Sequence, residues 1–168
     1  MPHVAFESLP PNARVWVFGA GDVLDSIHSK QLLSMVDEHL SQWRAHGVPL
    51  ACSRDFRDHR FLAVGVDEAA TGASGCSIDG LFRTLTAMQT LLGTSLVGGG
   101  IMFYRDANGI VQCADRSGFV DLVRAGTVTG DTHVFDLTVD TVGRWRENFE
   151  KRAAESWHAR VLKSALNP

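Results

Sequence analysis

Val66-Asp67-Glu68-Ala69-Ala70-Thr71-Gly72-Ala73-Ser74-Gly75-Cys76-Ser77-Ile78-Asp79-Gly80 joins two unlike patterns. Before it, Arg60 to Val66 is an apolar, β-branched run of strand type. After it, Ile78, Leu81, Phe82, Leu85, Met88 and Leu92 form an apolar stripe of helical period, stopped by Gly93. A strand therefore enters a turn rich in glycine, hydroxyls and acids, and a helix leaves it.

The same grammar extends in both directions. Upstream, Leu9-Pro10-Pro11-Asn12 is a stiff lead-in to a strand at Arg14-Val15-Trp16-Val17-Phe18. Gly19-Ala20-Gly21-Asp22 breaks that strand. A helix is expected from about Asp25 to Ala45, with Leu32, Leu33, Val36, Leu40 and Trp43 on one face and His46-Gly47-Val48-Pro49 as its stop. Leu50 to Phe56 and Arg60 to Val66 read as a hairpin across Arg57-Asp58-His59. Downstream, Gly98-Gly99-Gly100 leads into a strand at Ile101-Met102-Phe103-Tyr104. Asp106-Ala107-Asn108-Gly109 then turns the chain into Ile110-Val111-Gln112-Cys113.

Strand, helix, strand, strand, helix, strand is the order of the ferredoxin-like α+β fold, with two helices on one face of an antiparallel sheet. That core is expected over about residues 13–113. The rest, about 114–168, reads as a C-terminal α/β extension of the same single domain. It holds a short helix at Phe119–Arg124, an extended piece at His133–Val139 and a charged, helical stretch from about Val142 to Lys163. Trp145, Phe149 and Trp157 are its apolar anchors.

The chain has 168 residues, of which 45% are hydrophobic and 21% charged, enough for a packed globular core. A net charge of -3 and the lack of any Lys/Arg-rich run argue against a nucleic-acid partner. No apolar run is long enough for membrane insertion, and the N-terminus lacks the basic-then-apolar pattern of a signal peptide. A cytoplasmic location is the resulting expectation. Cys52, Cys76 and Cys113 are odd in number and lack C-x-x-C spacing, so neither a disulfide framework nor a zinc ribbon is expected.

Cys76 falls at or just before a helix start, before the N-cap if Ser77 is the cap and in the first turn if Ser74 is. Either position sets the sulfur near free N–H groups and the positive end of the helix, which favours a thiolate. A small cysteine filling space under the helix fits the same position. A nucleophilic cysteine needs a base, and the chain offers His3, His28, His39, His46, His59, His133 and His158. Asp67 and Glu68 suit either capping of the turn or, with Asp79, a cation. The Gly/Ser/Thr-rich turn suits an anion on helix N–H groups. The phosphate loop G-x-x-x-x-G-K-[ST] is absent, and no lysine stands between Lys30 and Lys151, so a P-loop nucleotidase is excluded. The four tryptophans serve either as core or as anchors for a ligand or protein partner.

Several stretches together resemble a known family. They are Leu9-Pro10-Pro11-Asn12-Ala13-Arg14-Val15-Trp16, Gln42-Trp43-Arg44-Ala45-His46-Gly47, Val66-Asp67-Glu68 with Ser74-Gly75-Cys76-Ser77-Ile78-Asp79, Gly130-Asp131-Thr132-His133-Val134-Phe135-Asp136, and Glu155-Ser156-Trp157-His158. The chain resembles small, uncharacterised bacterial proteins that often carry the label "ABC transporter ATPase". The label conflicts with the missing phosphate loop, since ATP hydrolysis of that type needs the loop and its lysine. The glycine run at 98–100 departs from the family pattern.

The resemblance singles out polar or aromatic turns around Trp43/His46, Cys76/Asp79 and Trp157/His158, which would make one site if they meet in space. Its catalytic candidates are Cys76, His158, His46 and Asp79. Ser74, Gly75, Ser77, Asp67, Glu68, Trp43 and Trp157 are its ligand- or anion-binding candidates. No metal ligand set is singled out, and the cofactor stays open, with metal or nucleotide binding as a remaining reading. Two functions stay open: a binding or regulatory protein that acts through a protein partner or a homo-oligomer, and a small cysteine-dependent enzyme. In the enzyme, Cys76 is the nucleophile, His158 or His46 the base, and the N–H groups at the helix start stabilise an anion.

Overall fold

The computed structural model describes residues 4–168; His3 lies outside the described residues. The chain is mixed α+β with antiparallel sheets, and forms two compact units. One takes the chain up to Val97 together with Thr138–Arg146; the other takes Gly98–Leu137 and Glu147–Pro168. Among the described residues no helix is long and apolar enough to cross a membrane.

In the first unit, β1 (Arg14–Gly19), β4 (Ala51–Arg57) and β5 (Phe61–Asp67) make a three-stranded sheet in the order β1-β5-β4. The central strand β5 is buried on both faces, which its unbroken Phe61-Leu62-Ala63-Val64-Gly65-Val66 run requires. Leu62, Val64 and Val66 face α1 (Ser26–Gln42) and α2 (Gly75–Leu92), packing with Leu32, Val36, Leu40, Leu81, Leu85 and Met88. On the other face Gly65 leaves room for Leu9; a Cβ there would sit 2.7 Å from Leu9 Cδ1 and 3.3 Å from Val142 Cγ2. Gly93 closes α2 in the left-handed conformation at φ 65°, as a C-terminal glycine should.

Helix α1 stops three residues short of its expected end. Beyond Gln42 the chain forms a small hairpin of β2 (Arg44–Ala45) and β3 (Val48–Pro49). His46 and Gly47 form its two-residue turn, both at positive φ (52° and 78°), the pattern of a type I′ turn. His46 is thus a hairpin tip and not a helix end. Trp43 looked helical because it lies three residues after Leu40. Its backbone is already extended, and its indole is the anchor of the hairpin.

The second unit carries a four-stranded sheet in the order β7-β6-β8-β9, from β6 (Ile101–Arg105), β7 (Val111–Asp115), β8 (His133–Phe135) and β9 (Glu150–Arg152). The strand expected as fourth in the ferredoxin-like sheet is β6, and its hydrogen-bonding partners are β7 and β8. Helix α3 (Arg116–Arg124) and α5 (His158–Leu166) pack with this sheet through Phe119, Val123, Val161 and Ala165. The long helix expected from Val142 is instead broken. Helix α4 (Val142–Asn148) ends before Glu150–Arg152, which pairs with β8, and a second helix starts at His158.

Candidate functional site

Ser74 is the N-cap of α2: its Oγ accepts the Ser77 N–H at 3.2 Å, and its carbonyl takes the Ser77 hydroxyl at 2.8 Å and the Ile78 N–H. Gly75, Cys76 and Ser77 are therefore the first three helical residues. An α-helix leaves its first N–H groups without intrahelical acceptors. The cap takes that of Ser77, so those of Gly75 and Cys76 point out of the helix start. Cys76 is exposed, whereas Cys52 is buried with its thiol directed at the Leu40 carbonyl.

The hairpin tip stands against this helix start. The Trp43 Nε1–H donates to the Ser77 carbonyl at 2.8 Å, in the core, and the Trp43 ring meets Trp16 edge-on at 5.9 Å. This buried bond ties the base of the hairpin to the first turn of α2. Between them lies an open cleft of about 650 Å³ lined by Arg44, His46, Ser74, Gly75, Cys76 and Ser77. Arg44 also braces the turn through Nη1 to the Gly47 carbonyl at 3.3 Å. Among the described residues no acidic side chain lines the cleft. Its inventory is a guanidinium, an imidazole, a thiol and the positive end of a helix, which suits an anionic group or chemistry at sulfur.

Of the residues singled out from the sequence, the cleft brings together His46, Cys76, Ser74, Gly75 and Ser77. Trp43 supports it from the core. Asp79 is exposed, further along α2, and does not line it. Asp67 and Glu68 serve the preceding turn, where their carboxylates accept the Ala69 and Ala73 N–H groups at 3.0 and 3.2 Å. Glu68 also lies 3.7 Å from Arg14.

His158 and Trp157 belong to the second unit. His158 is fully buried there, stacked on Trp157 at 3.8 Å and beside Phe119 at 5.9 Å. Its Nδ1 shares a 2.8 Å hydrogen bond with the Ser156 hydroxyl, and its Nε2 has no partner among the described residues. Burial pushes its pKa down to about 4, against a weaker opposing pull from Asp136. The Trp157 indole donates to Asp136 Oδ1 at 3.0 Å.

Two further residues of this region carry no local sequence signal of a site, Arg44 and His39. Arg44 sits inside the quoted Gln42–Gly47 stretch, but an expected helix there gave it no reason to face Cys76. His39 lies beneath α2, with Nδ1 3.2 Å from the Thr84 hydroxyl and a buried Nε2 lacking a partner among the described residues. Burial holds its pKa below the ordinary histidine value. Among the described residues no group of three or more His, Cys, Asp or Glu side chains is placed to hold a metal. Compared with known proteins, the chain matches no family model, no curated protein and no solved structure.

Proposed function

We propose that this chain is a cytoplasmic binding or regulatory protein, and not a transporter ATPase, whose ligand offers an anionic group to the cleft at the start of α2. The observation that carries the reading is the cleft itself: Arg44 and His46 of the hairpin line it together with Gly75 and Cys76 at the helix start, with no carboxylate among the lining residues. A helix start already favours a negative charge, and a guanidinium adds a forked donor set suited to carboxylate or phosphate. The fold reading that goes with it is a ferredoxin-like arrangement short of its fourth strand, supported by the β1-β5-β4 order beneath two helices. The resemblance to the small bacterial family fits the same view.

Equilibrium dialysis against inorganic phosphate tests the reading. Arg44→Ala should weaken phosphate binding by about tenfold, the loss of one charge-assisted contact of 1.5–3 kcal/mol partly offset by solvent. Binding that is absent, or unchanged in the variant, would remove the anion from the account.

A thiol-dependent reaction is the second reading, favoured by the exposure of Cys76 in the same cleft as His46. In it His46 takes the thiol proton, the sulfur adds to an electrophilic carbonyl carbon as the C=O π pair moves onto its oxygen, and the N–H groups of the helix start stabilise that oxyanion. Alkylation measured in a Cys113→Ser variant, with Cys52 shielded by burial, separates the two. The enzyme requires rapid labelling of Cys76 that His46→Ala slows.

A further inference from the structure

Helix α1 presents a face that its own unit leaves uncovered. Leu32, Val36 and Leu40 are buried inward. Ile27, Lys30, Ser34, Glu38 and Ser41 follow one another at spacings of three and four, so they share the opposite face. Ile27 is 65% exposed at one end of that face. On one flank, Met35 and Leu91 of α2, 38% and 55% exposed, line a shallow groove with Lys30, Gln31 and Ser34. Exposed apolar side chains clustered on a packed helix layer mark an interaction surface more often than isolated ones do.

The charges on this face say what would cover it. Lys30 and Glu38 stand four residues to either side of Ser34, and neither makes an ion pair among the described residues. The nearby Asp37 is already held by both arms of Arg54, at 2.9 and 2.8 Å. The face is therefore electrically balanced about a small central residue. A uniformly acidic or basic partner would meet one of the two charges with the wrong sign. A parallel copy would set lysine beside lysine.

We propose that α1 pairs with α1 of a second copy, antiparallel, about a twofold axis at Ser34. The axis sets Lys30 of each chain opposite Glu38 of the other, twice over. The small Ser34 side chains lie at the crossing, where they let the helices approach closely. Because the twofold axis keeps each flank on its own side, it also gathers both Met35 and both Leu91 side chains into one apolar strip. The interface is isologous, as a closed dimer requires. It is independent of the cleft at α2.

Sedimentation velocity over a range of concentrations tests the proposal with four proteins. The wild type is expected to dimerise. K30E and E38K should each weaken the dimer by about tenfold, since each converts two attractions into two repulsions. The doubly swapped K30E/E38K chain should recover wild-type association, which also shows that the single variants fail by charge and not by misfolding. A wild type that stays monomeric at its highest soluble concentration overturns the proposal. So does a dimer indifferent to K30E, or a double variant no better than the singles.

Discussion

Replacing His158 by Phe should flatten the acid dependence of stability. The imidazole is wholly buried between Trp157 and Phe119, and burial lowers its pKa to about 4. In the unfolded chain it returns to about 6.5. The unfolded state therefore binds more protons between those values, so stability is fully present above about pH 6.5 and is lost as the pH falls toward 4. At 1.36 kcal/mol per pKa unit, the loss approaches about 3 kcal/mol, of which about 2.5 kcal/mol has gone by pH 4.5. Glu150 adds to acid sensitivity for another reason. The Arg105 guanidinium, helped by His133, holds its carboxyl below the usual range, and that contribution fades as the carboxyl protonates. Comparing wild type with His158→Phe cancels this shared part. Urea unfolding at about pH 7 and pH 4.5 should show a difference between the two proteins that shrinks or reverses by about 2.5 kcal/mol on acidification. The absolute cost of fitting Phe does not enter this difference. Equal pH slopes would refute the picture of a neutral histidine trapped in the core.

Other substitutions probe how the cleft is held. Trp43→Phe removes the indole donor to the Ser77 carbonyl and should cost about 1–3 kcal/mol in urea unfolding, while loosening the hairpin against α2. Ser74→Ala removes the N-cap of α2 and should cost about 1 kcal/mol by the same measurement, with no loss of the sheet signals. Gly65→Ala drives a methyl group toward Leu9 and Val142 and should lower stability by about 1–2 kcal/mol, with the folded NMR spectrum otherwise retained.

Much of this architecture can be read along the chain because it rests on local signals. The α2 stripe from Ile78 to Leu92 has a clean period, its glycine stop is at Gly93, and the Asp106–Gly109 turn carries its own side-chain cap from Asp106 to the Asn108 and Ile110 N–H groups. What escapes is non-local. Glu150–Arg152 looks helical by composition, yet its backbone pairs with His133–Phe135, and Glu150 forks onto Arg105 at 2.7 and 2.9 Å. The Arg44–Pro49 hairpin escapes because Trp43 continues the apolar spacing of α1, while the deciding partner, the Ser77 carbonyl, is 34 residues away. That one error hides Arg44 and turns His46 from a cleft residue into a helix end. Cys76, Ser74 and Ser77 are legible because a helix cap is itself a local motif. A convergence of His158 with them is a question of three dimensions, on which spacing along the chain is silent.

The anion site proposed for this protein is the start of α2 beside Arg44 and His46. The most direct measurement is a titration of the nitrogen-15-labelled protein with inorganic phosphate, followed by amide NMR. Saturable shifts led by the Gly75 and Cys76 amides are expected, with Arg44 and His46 moving at the same concentrations, and their loss in Arg44→Ala. Shifts scattered over the surface without saturation, or led by residues outside the cleft, would contradict it.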